Sequence, residues 1–132
     1  MLKGIGHLGI VVKDIEKSLD ALSQIISFES PAITDFPEKK MKCALVQVNG
    51  VALEFLQDKS EDGFLGRFAR EKGDAIHHFC LLSDSIEEDV EDLKQRGVEM
   101  MDQKPRIGLR GKKIAMTMPN AMNGITIELS EP

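Results

Sequence analysis

The sequence predicts an α+β protein built from two tandem βαβββ modules, because its second half repeats the pattern of its first half. A His opens a short apolar run at residues 7–12, and another His opens a similar run at residues 78–83, a spacing of 71 residues (78 − 7). An Asn-Gly pair followed by a run that ends in Glu and an apolar residue recurs at residues 49–55 and 123–129. Each half therefore carries one His near its start and one Glu near its end.

The elements of the first half follow from hydrophobic spacing and turn residues. The first apolar run predicts a strand, and Asp14 is a suitable N-cap for a helix over about residues 15–26 with one apolar face. Residues 42–48 and 51–57 predict two strands, joined by the two-residue hairpin turn that Asn49-Gly50 favours. These elements give the first module its βαβββ order once a short irregular strand is allowed before residue 42.

A short helix over about residues 63–72, ending at Gly73, is predicted to link the two halves. We interpret the chain as one domain, residues 1–132, with module 1 at about 1–58, a linker helix at about 59–73 and module 2 at about 74–132. The remaining predicted elements are a strand over 76–82, a helix over 86–96 capped near Asp84 or Ser85 and stopped by Gly97, a short strand near 98–102, and strands over 113–118 and 125–130.

Strand alternation indicates which of the chemically active side chains share a face. His78 and Cys80 point to one side of their strand, whereas His77 points to the other side, toward the helices. The face opposite Glu54 and the face opposite Glu128 are fully apolar, so each should pack on a helix. Both glutamates then lie on the face that carries small or polar neighbours, as expected for the lining of a cavity.

Four residues, His7, Glu54, His78 and Glu128, are the predicted metal ligands. Two imidazoles and two carboxylates suit a divalent ion such as Co, Mn, Ni or Zn, and the ion would offset the free energy of burying the carboxylates. Taken singly, each residue also fits a core histidine or a solvated glutamate. Their agreement in register in both repeats favours the metal site.

Composition narrows the class of protein. The net charge of −5, from 17 basic and 22 acidic residues, disfavours a nucleic-acid partner. No apolar run reaches the ~20 residues of a membrane span, and no signal peptide is recognisable, so we predict a cytoplasmic protein without a membrane partner. Cys43 and Cys80 lack CxxC spacing and are interpreted as reduced thiols inside strands.

A basic stretch at residues 104–113 carries five positive charges around two glycines. Its functional interpretation is a loop that binds an anionic ligand, such as phosphates or a carboxylate, through Arg106, Arg110 and Lys112. Its alternative interpretation is a solvated hairpin connection.

Several of these motifs resemble the vicinal oxygen chelate superfamily, which has the glyoxalase/bleomycin-resistance fold, and most closely its methylmalonyl-CoA epimerases. The resemblance covers nearly the whole chain, although Arg110 stands where those epimerases usually have His. The superfamily motifs lie at residues 7–12, 54–56, 76–79 and 124–129, and those shared with the epimerases lie at 68–73, 93–98 and 104–108.

The resemblance implies a cupped eight-stranded mixed sheet around one metal site, a homodimer, and a small thioester substrate of the acyl-CoA type. The implied reaction is a proton shift next to the thioester carbonyl, with Glu54 and Glu128 as candidates for the acid and base as well as ligands. A glyoxalase I-type lyase is the alternative enzyme, since relatives with that activity use the same ligand set. A small-molecule-binding protein of the bleomycin-resistance kind and a ring-cleaving dioxygenase fit the four ligands less well.

Overall fold

The computed structural model describes residues 2–29, 31 and 33–132, and its elements follow the predicted order. Each half contributes a strand, a helix and three further strands, and α2 links the two halves, so the βαβββ repeat is confirmed. The strands are β1 (Leu2–Val11), β2 (Thr34–Phe36), β3 (Met41–Val48), β4 (Val51–Asp58), β5 (Ala75–Ser83), β6 (Arg106–Ile107), β7 (Lys113–Met116) and β8 (Thr126–Ser130), and the helices are α1 (Ile15–Ser23), α2 (Phe64–Lys72) and α3 (Ile86–Gln95).

The strands form an eight-stranded sheet in the order β2-β3-β4-β1-β5-β8-β7-β6. β5 and β8 pair in parallel, whereas β2 with β3, β3 with β4, β6 with β7, and β7 with β8 pair antiparallel. The sheet is therefore mixed, as the combination of strand–helix–strand units with hairpins predicts.

The chain divides into two compact units that do not coincide with the two sequence repeats. Unit 1 contains His78–Pro132 together with the N-terminal residues through His7, and unit 2 contains Leu8–His77. β1 and β5 each contribute residues to both units. The N-terminal half of the first strand thus belongs with the second repeat, which places His7 and His78 in the same unit.

The core of unit 2 packs α1 against one face of β3 and β4. Ile15 of α1 is fully buried and lies in one cluster with Val46 and Phe55, against which Leu19 and Leu22 also pack. Phe55 follows Glu54 in β4, so the apolar face opposite this glutamate packs on a helix, as strand alternation predicts.

The core of unit 1 repeats this arrangement with α3. Ile86 and Val90 of α3 are 2% and 1% exposed and form a cluster with Leu129 of β8 and Ala115 of β7, both fully buried. Leu129 follows Glu128, so here too the face opposite the glutamate is the one that packs on the helix.

Turn and cap residues explain several boundaries. Asn49 and Gly50 have φ values of 47° and 91°, the positive angles that a tight β3–β4 turn requires, and this confirms the hairpin. The Asp14 side chain accepts a hydrogen bond from the backbone N–H of Lys17 at 3.1 Å, which confirms the N-cap of α1. At its other end α1 stops at Ser23 instead of residue 26, and Ile25, which would continue the apolar face of the predicted helix, is 77% exposed.

The strand predicted near residues 98–102 is wrong. Met100 forms a single isolated bridge with Thr117, and the strand that pairs with β7 is instead Arg106–Ile107, inside the basic stretch. Met100 is buried in the α3 cluster, so its apolar character reflects side-chain packing and not a strand ladder. Among the residues that the structure describes, no helix combines the length and the apolar character needed to cross a membrane.

Asp58, at the end of β4, caps the start of α2. The residue that precedes this helix is Gly63, which has no side chain to cap it, and Asp58 accepts hydrogen bonds from the backbone N–H groups of Gly66 at 3.1 Å and Ser60 at 2.9 Å. Burial raises the pKa of the Asp58 carboxyl, but hydrogen bonds from the Ser60 hydroxyl and from these backbone groups outweigh it and hold the pKa below its usual range.

Asp58→Asn is expected to lower the free energy of unfolding at pH 7 by about 1 kcal/mol, because α2 loses a charged cap. A carboxyl whose pKa is lower in the folded state stabilises the fold above its unfolded pKa, and this contribution is lost as the pH falls through the folded value. Urea unfolding at pH 7 and pH 3 measures the free energy of unfolding of variant and wild type. The difference between the two proteins should be smaller at pH 3. Asp62→Asn, at an exposed carboxyl beside the same helix, is the control. An equal effect of both substitutions at pH 7 would contradict the capping role.

Candidate metal centre

Unit 1 brings together three of the four predicted metal ligands, His7, His78 and Glu128. The Nε2 atoms of His7 and His78 lie 3.3 Å apart. Glu128 Oε1 lies 3.7 Å from His7 Nε2, and Glu128 Oε2 lies 3.4 Å from His78 Nε2. The two imidazoles and the carboxylate thus converge on one point from three strands.

Strand pairing and alternation position these side chains. β5 and β8 run parallel with Cys80 opposite Glu128 and His78 opposite Thr126. Thr126 and Glu128 are 1% and 6% exposed, and His78 is 1% exposed. The carboxylate is held on the face away from α3 because Leu129 occupies the other face, in the α3 cluster. Strand pairing therefore determines the position of His78 and Glu128 along the sheet, and strand alternation determines the face on which each side chain lies.

The donor set fits a divalent metal ion. Ligand atoms about 2.0–2.2 Å from one tetrahedral ion lie roughly 3.3 Å from each other. The two Nε2 atoms lie 3.3 Å apart, and each lies 3.7 Å or 3.4 Å from a different oxygen of the Glu128 carboxylate. Imidazole nitrogen and carboxylate oxygen suit Zn, Co, Ni or Mn. His7, His78 and Glu128 accordingly form a possible His/Glu metal-binding site.

Glu54, the fourth predicted ligand, lies in unit 2. It sits on β4 opposite Leu45 of β3 and is 7% exposed, between the buried side chains of Ala52 and Leu56 on its own strand face. It is thus a buried carboxylate on the strand face away from the α1 core, which matches the environment of Glu128 in unit 1.

His77 faces α2, as strand alternation predicts. Its ring makes edge-to-face contacts with Phe68 and Phe64, at centroid distances of 4.9 Å and 6.0 Å. Burial lowers the pKa of the His77 imidazole below its ordinary value of 6.5, so this side chain is neutral at pH 7. His77 is a packing residue of unit 2.

The neighbouring histidines provide a matched test. His78→Phe is expected to lower divalent-metal affinity by at least about 100-fold, whereas His77→Phe should leave it within about threefold, because only His78 points toward Glu128. Titration of the chelated variants with Co(II) measures both affinities. Equal loss of affinity in the two variants would contradict the assignment of His78.

Cys80 also lies at this site, although the sequence predicts only a reduced thiol inside a strand. Ligand atoms of His7, Cys80 and Glu128 all lie within 4.8 Å of one another, and Cys80 is 1% exposed. Both cysteines are buried and reduced, as predicted. The signal that could have identified Cys80 was available in the sequence, since it shares a strand face with His78 two residues earlier.

The three predicted substrate-binding residues lie in and around the turn between β6 and β7. Arg106 and Arg110 are exposed, and Arg106 Nε pairs with Asp102 Oδ1 at 2.9 Å. Lys112 donates a hydrogen bond to the backbone carbonyl of Pro132. The stretch is therefore a short hairpin with an exposed basic turn, and its role in binding stays a prediction.

The sequence profile of the Glyoxalase/Bleomycin resistance protein/Dioxygenase superfamily matches residues 6–116 of the chain. The protein belongs to this superfamily, and its eight-stranded mixed sheet with three α-helices agrees with the fold of the vicinal oxygen chelate proteins. The resemblance inferred from the motifs is therefore confirmed.

Individual relatives include methylmalonyl-CoA epimerases. The chain is 30% identical over 128 residues to the uncharacterized protein YqjC of Bacillus subtilis (strain 168), covering 97% of this chain and 91% of that protein. It is 25% identical to the mitochondrial methylmalonyl-CoA epimerase of Homo sapiens, covering 96% and 73% of the two chains. A structure of Streptomyces coelicolor methylmalonyl-CoA epimerase with 2-nitronate-propionyl-CoA superimposes with a TM-score of 0.89 at 23% identity, covering 99% and 95%.

Proposed function

We propose that the protein is a metal-dependent isomerase that shifts a proton next to a thioester carbonyl, and specifically a methylmalonyl-CoA epimerase. The observation that carries the proposal is the convergence of His7, His78 and Glu128 in one unit. The epimerases among its relatives support the reaction class.

In this proposal His7, Glu54, His78 and Glu128 hold one divalent ion, Co, Mn, Ni or Zn. The repeat supports Glu54 as the fourth ligand, because it occupies in the first repeat the place that Glu128 occupies in the second. An ion held by these residues would supply Lewis-acid stabilisation of the negative charge that develops on the thioester oxygen when the α-proton leaves.

The two glutamates are proposed to move the proton as well as to bind. Glu54 and Glu128 are 7% and 6% exposed, so both carboxylates are largely shielded from solvent. An epimerase needs one group to take the α-proton from one face and another to return it on the opposite face. Two buried carboxylates from two different strands provide such a pair.

The substrate is proposed to be an acyl-CoA thioester. Solved epimerase structures contain 2-nitronate-propionyl-CoA and methylmalonyl-CoA, both of which carry phosphates. The exposed basic turn between β6 and β7 would offer Arg106, Arg110 and Lys112 to such an anion. We also propose a homodimer, as the resemblance implies, and a cytoplasmic location.

Turnover of two substrates tests the proposal. Protein stripped with a chelator and reloaded with Co or Mn should interconvert the two epimers of methylmalonyl-CoA and should not isomerise the hemithioacetal of glutathione and methylglyoxal. Turnover of the hemithioacetal alone would replace the proposal with the glyoxalase I-type lyase. Binding of either compound without turnover, by protein shown to hold metal, would indicate a small-molecule-binding protein.

Arg110→Gln is expected to raise the KM for an acyl-CoA by about 5- to 20-fold and to leave kcat within about twofold. The substitution would remove a contact with the substrate phosphates that is equally strong in the ground state and the transition state. Steady-state kinetics at low ionic strength measures both constants. Arg96→Gln, at an exposed arginine that pairs with Asp92 on α3, is the control and should change neither constant. Equal KM values for the Arg110 variant and wild type would remove Arg110 from the binding site.

A further inference from the structure

Cys80 is a ligand-type side chain at the candidate metal centre that the proposed four-residue set does not use. It faces Glu128 directly across the parallel β5–β8 pairing, and it lies two residues from His78 on the same strand face. Its sulfur, a His7 nitrogen and a Glu128 oxygen lie within 4.8 Å of one another. Cys80 is 1% exposed, so its thiol is surrounded by protein atoms and not by solvent.

The strand beside Cys80 leaves room for the sulfur. A Cβ atom added at Gly6, the residue before His7 in β1, would lie 3.3 Å from Cys80 Sγ and 3.0 Å from Leu82 Cδ2. A side chain at residue 6 would contact the thiol of Cys80 at short distance. Glycine avoids this contact and leaves space for the sulfur beside His7 and Glu128.

We infer that Cys80 binds the metal as a thiolate in addition to the four proposed ligands, and that this sulfur gives the site a preference for zinc or cobalt over manganese. The inference rests on the proposed metal centre but not on the proposed substrate. A thiolate is a soft ligand that favours Zn and Co, whereas Mn favours oxygen ligands. Binding releases the thiol proton to solvent as the sulfur–metal bond forms.

Cys43 provides a matched control within the same chain. It is the other cysteine, it is also buried and reduced, and it also lies in a strand. It belongs to unit 2, where it pairs with Leu56 on one side and Thr34 on the other. Cys43→Ser therefore changes a buried thiol of the same kind in the other unit.

The test is a cobalt titration of the chelated full-length protein. Wild type and Cys43→Ser should develop the near-ultraviolet charge-transfer band of a cobalt–thiolate bond. Cys80→Ser should bind cobalt, as shown by elemental analysis after desalting, without that band. Zinc affinity of Cys80→Ser should fall by at least about tenfold, while its manganese affinity stays within about threefold.

The outcomes separate the two proposals. One bound cobalt per chain in wild type without the charge-transfer band, or a band that persists in both Cys80→Ser and Cys80→Ala, would overturn Cys80 as a ligand and leave the proposed function standing. Failure of wild type to bind cobalt, zinc or manganese would overturn both. Cys80→Ala serves as the second variant because a buried serine hydroxyl can itself disturb folding.

Discussion

Glu128→Ala is expected to lower the affinity of the protein for a divalent metal by at least about 100-fold and to abolish turnover that depends on the metal. Both carboxylate oxygens of Glu128 face imidazoles, at 3.7 Å from His7 Nε2 and 3.4 Å from His78 Nε2. A four-ligand zinc site has an apparent binding free energy of about 10–16 kcal/mol, or roughly 3 kcal/mol per ligand, which corresponds to about 100-fold in affinity.

Two further variants make this prediction specific. Glu128→Gln preserves the shape of the side chain and one ligand oxygen, so its affinity should fall between those of wild type and the alanine variant. Glu88→Ala removes an exposed carboxylate of α3 in the same unit and should leave metal affinity unchanged. Competition with a chelator of known affinity measures all four proteins. If Glu128→Ala unfolds at the same temperature as wild type and binds the metal with wild-type affinity, Glu128 is not a ligand.

The second large effect concerns Glu54, for which ligation and proton transfer can be separated. Glu54→Gln is expected to retain the metal within about tenfold and to lose about 10²- to 10⁴-fold in kcat, because an amide oxygen can bind a metal but an amide cannot accept the α-proton. Glu54→Ala should lose both the metal and the activity. The difference between the two variants assigns the proton-transfer role.

Kinetics and metal content must be measured on the same preparations. kcat for an acyl-CoA thioester, divided by the metal content found by elemental analysis, gives the activity per occupied site. Glu61→Gln removes an exposed carboxylate of unit 2 and serves as the control. Full kcat in Glu54→Gln would show that the base is another group and would leave Glu54 as a ligand alone.

Local signals in the sequence were sufficient for much of the fold. Asn49-Gly50 defines a hairpin because both residues adopt positive φ, and Asp14 defines the start of α1 because its carboxylate caps a backbone N–H. The convergence of His7, His78 and Glu128 follows from the repeat together with strand alternation, which also directs His77 to α2. These features depend on a few neighbouring residues and on strict periods.

Other features depend on tertiary contacts that the pattern does not contain. The apolar side chain of Met100 favours a strand in the sequence, but the structure buries it against α3. The next strand to pair begins at Arg106. Ile25 continues the helical period of α1, yet the helix ends before it and its side chain is exposed. The sequence shows that Cys80 shares a strand face with His78, but only the β5–β8 pairing places it opposite Glu128.

Deuterium exchange at the α-carbon of methylmalonyl-CoA would show whether the metal-loaded protein removes the α-proton. Chelated protein is incubated with the thioester in deuterated water, with and without added Co or Mn, and the α-proton signal is followed by NMR. The metal-loaded wild type should exchange the α-proton rapidly, and both the chelated protein and metal-treated Glu128→Ala should exchange it no faster than buffer. If methylmalonyl-CoA keeps its α-proton in the presence of wild-type protein with one metal bound per chain, the protein does not catalyse this proton shift.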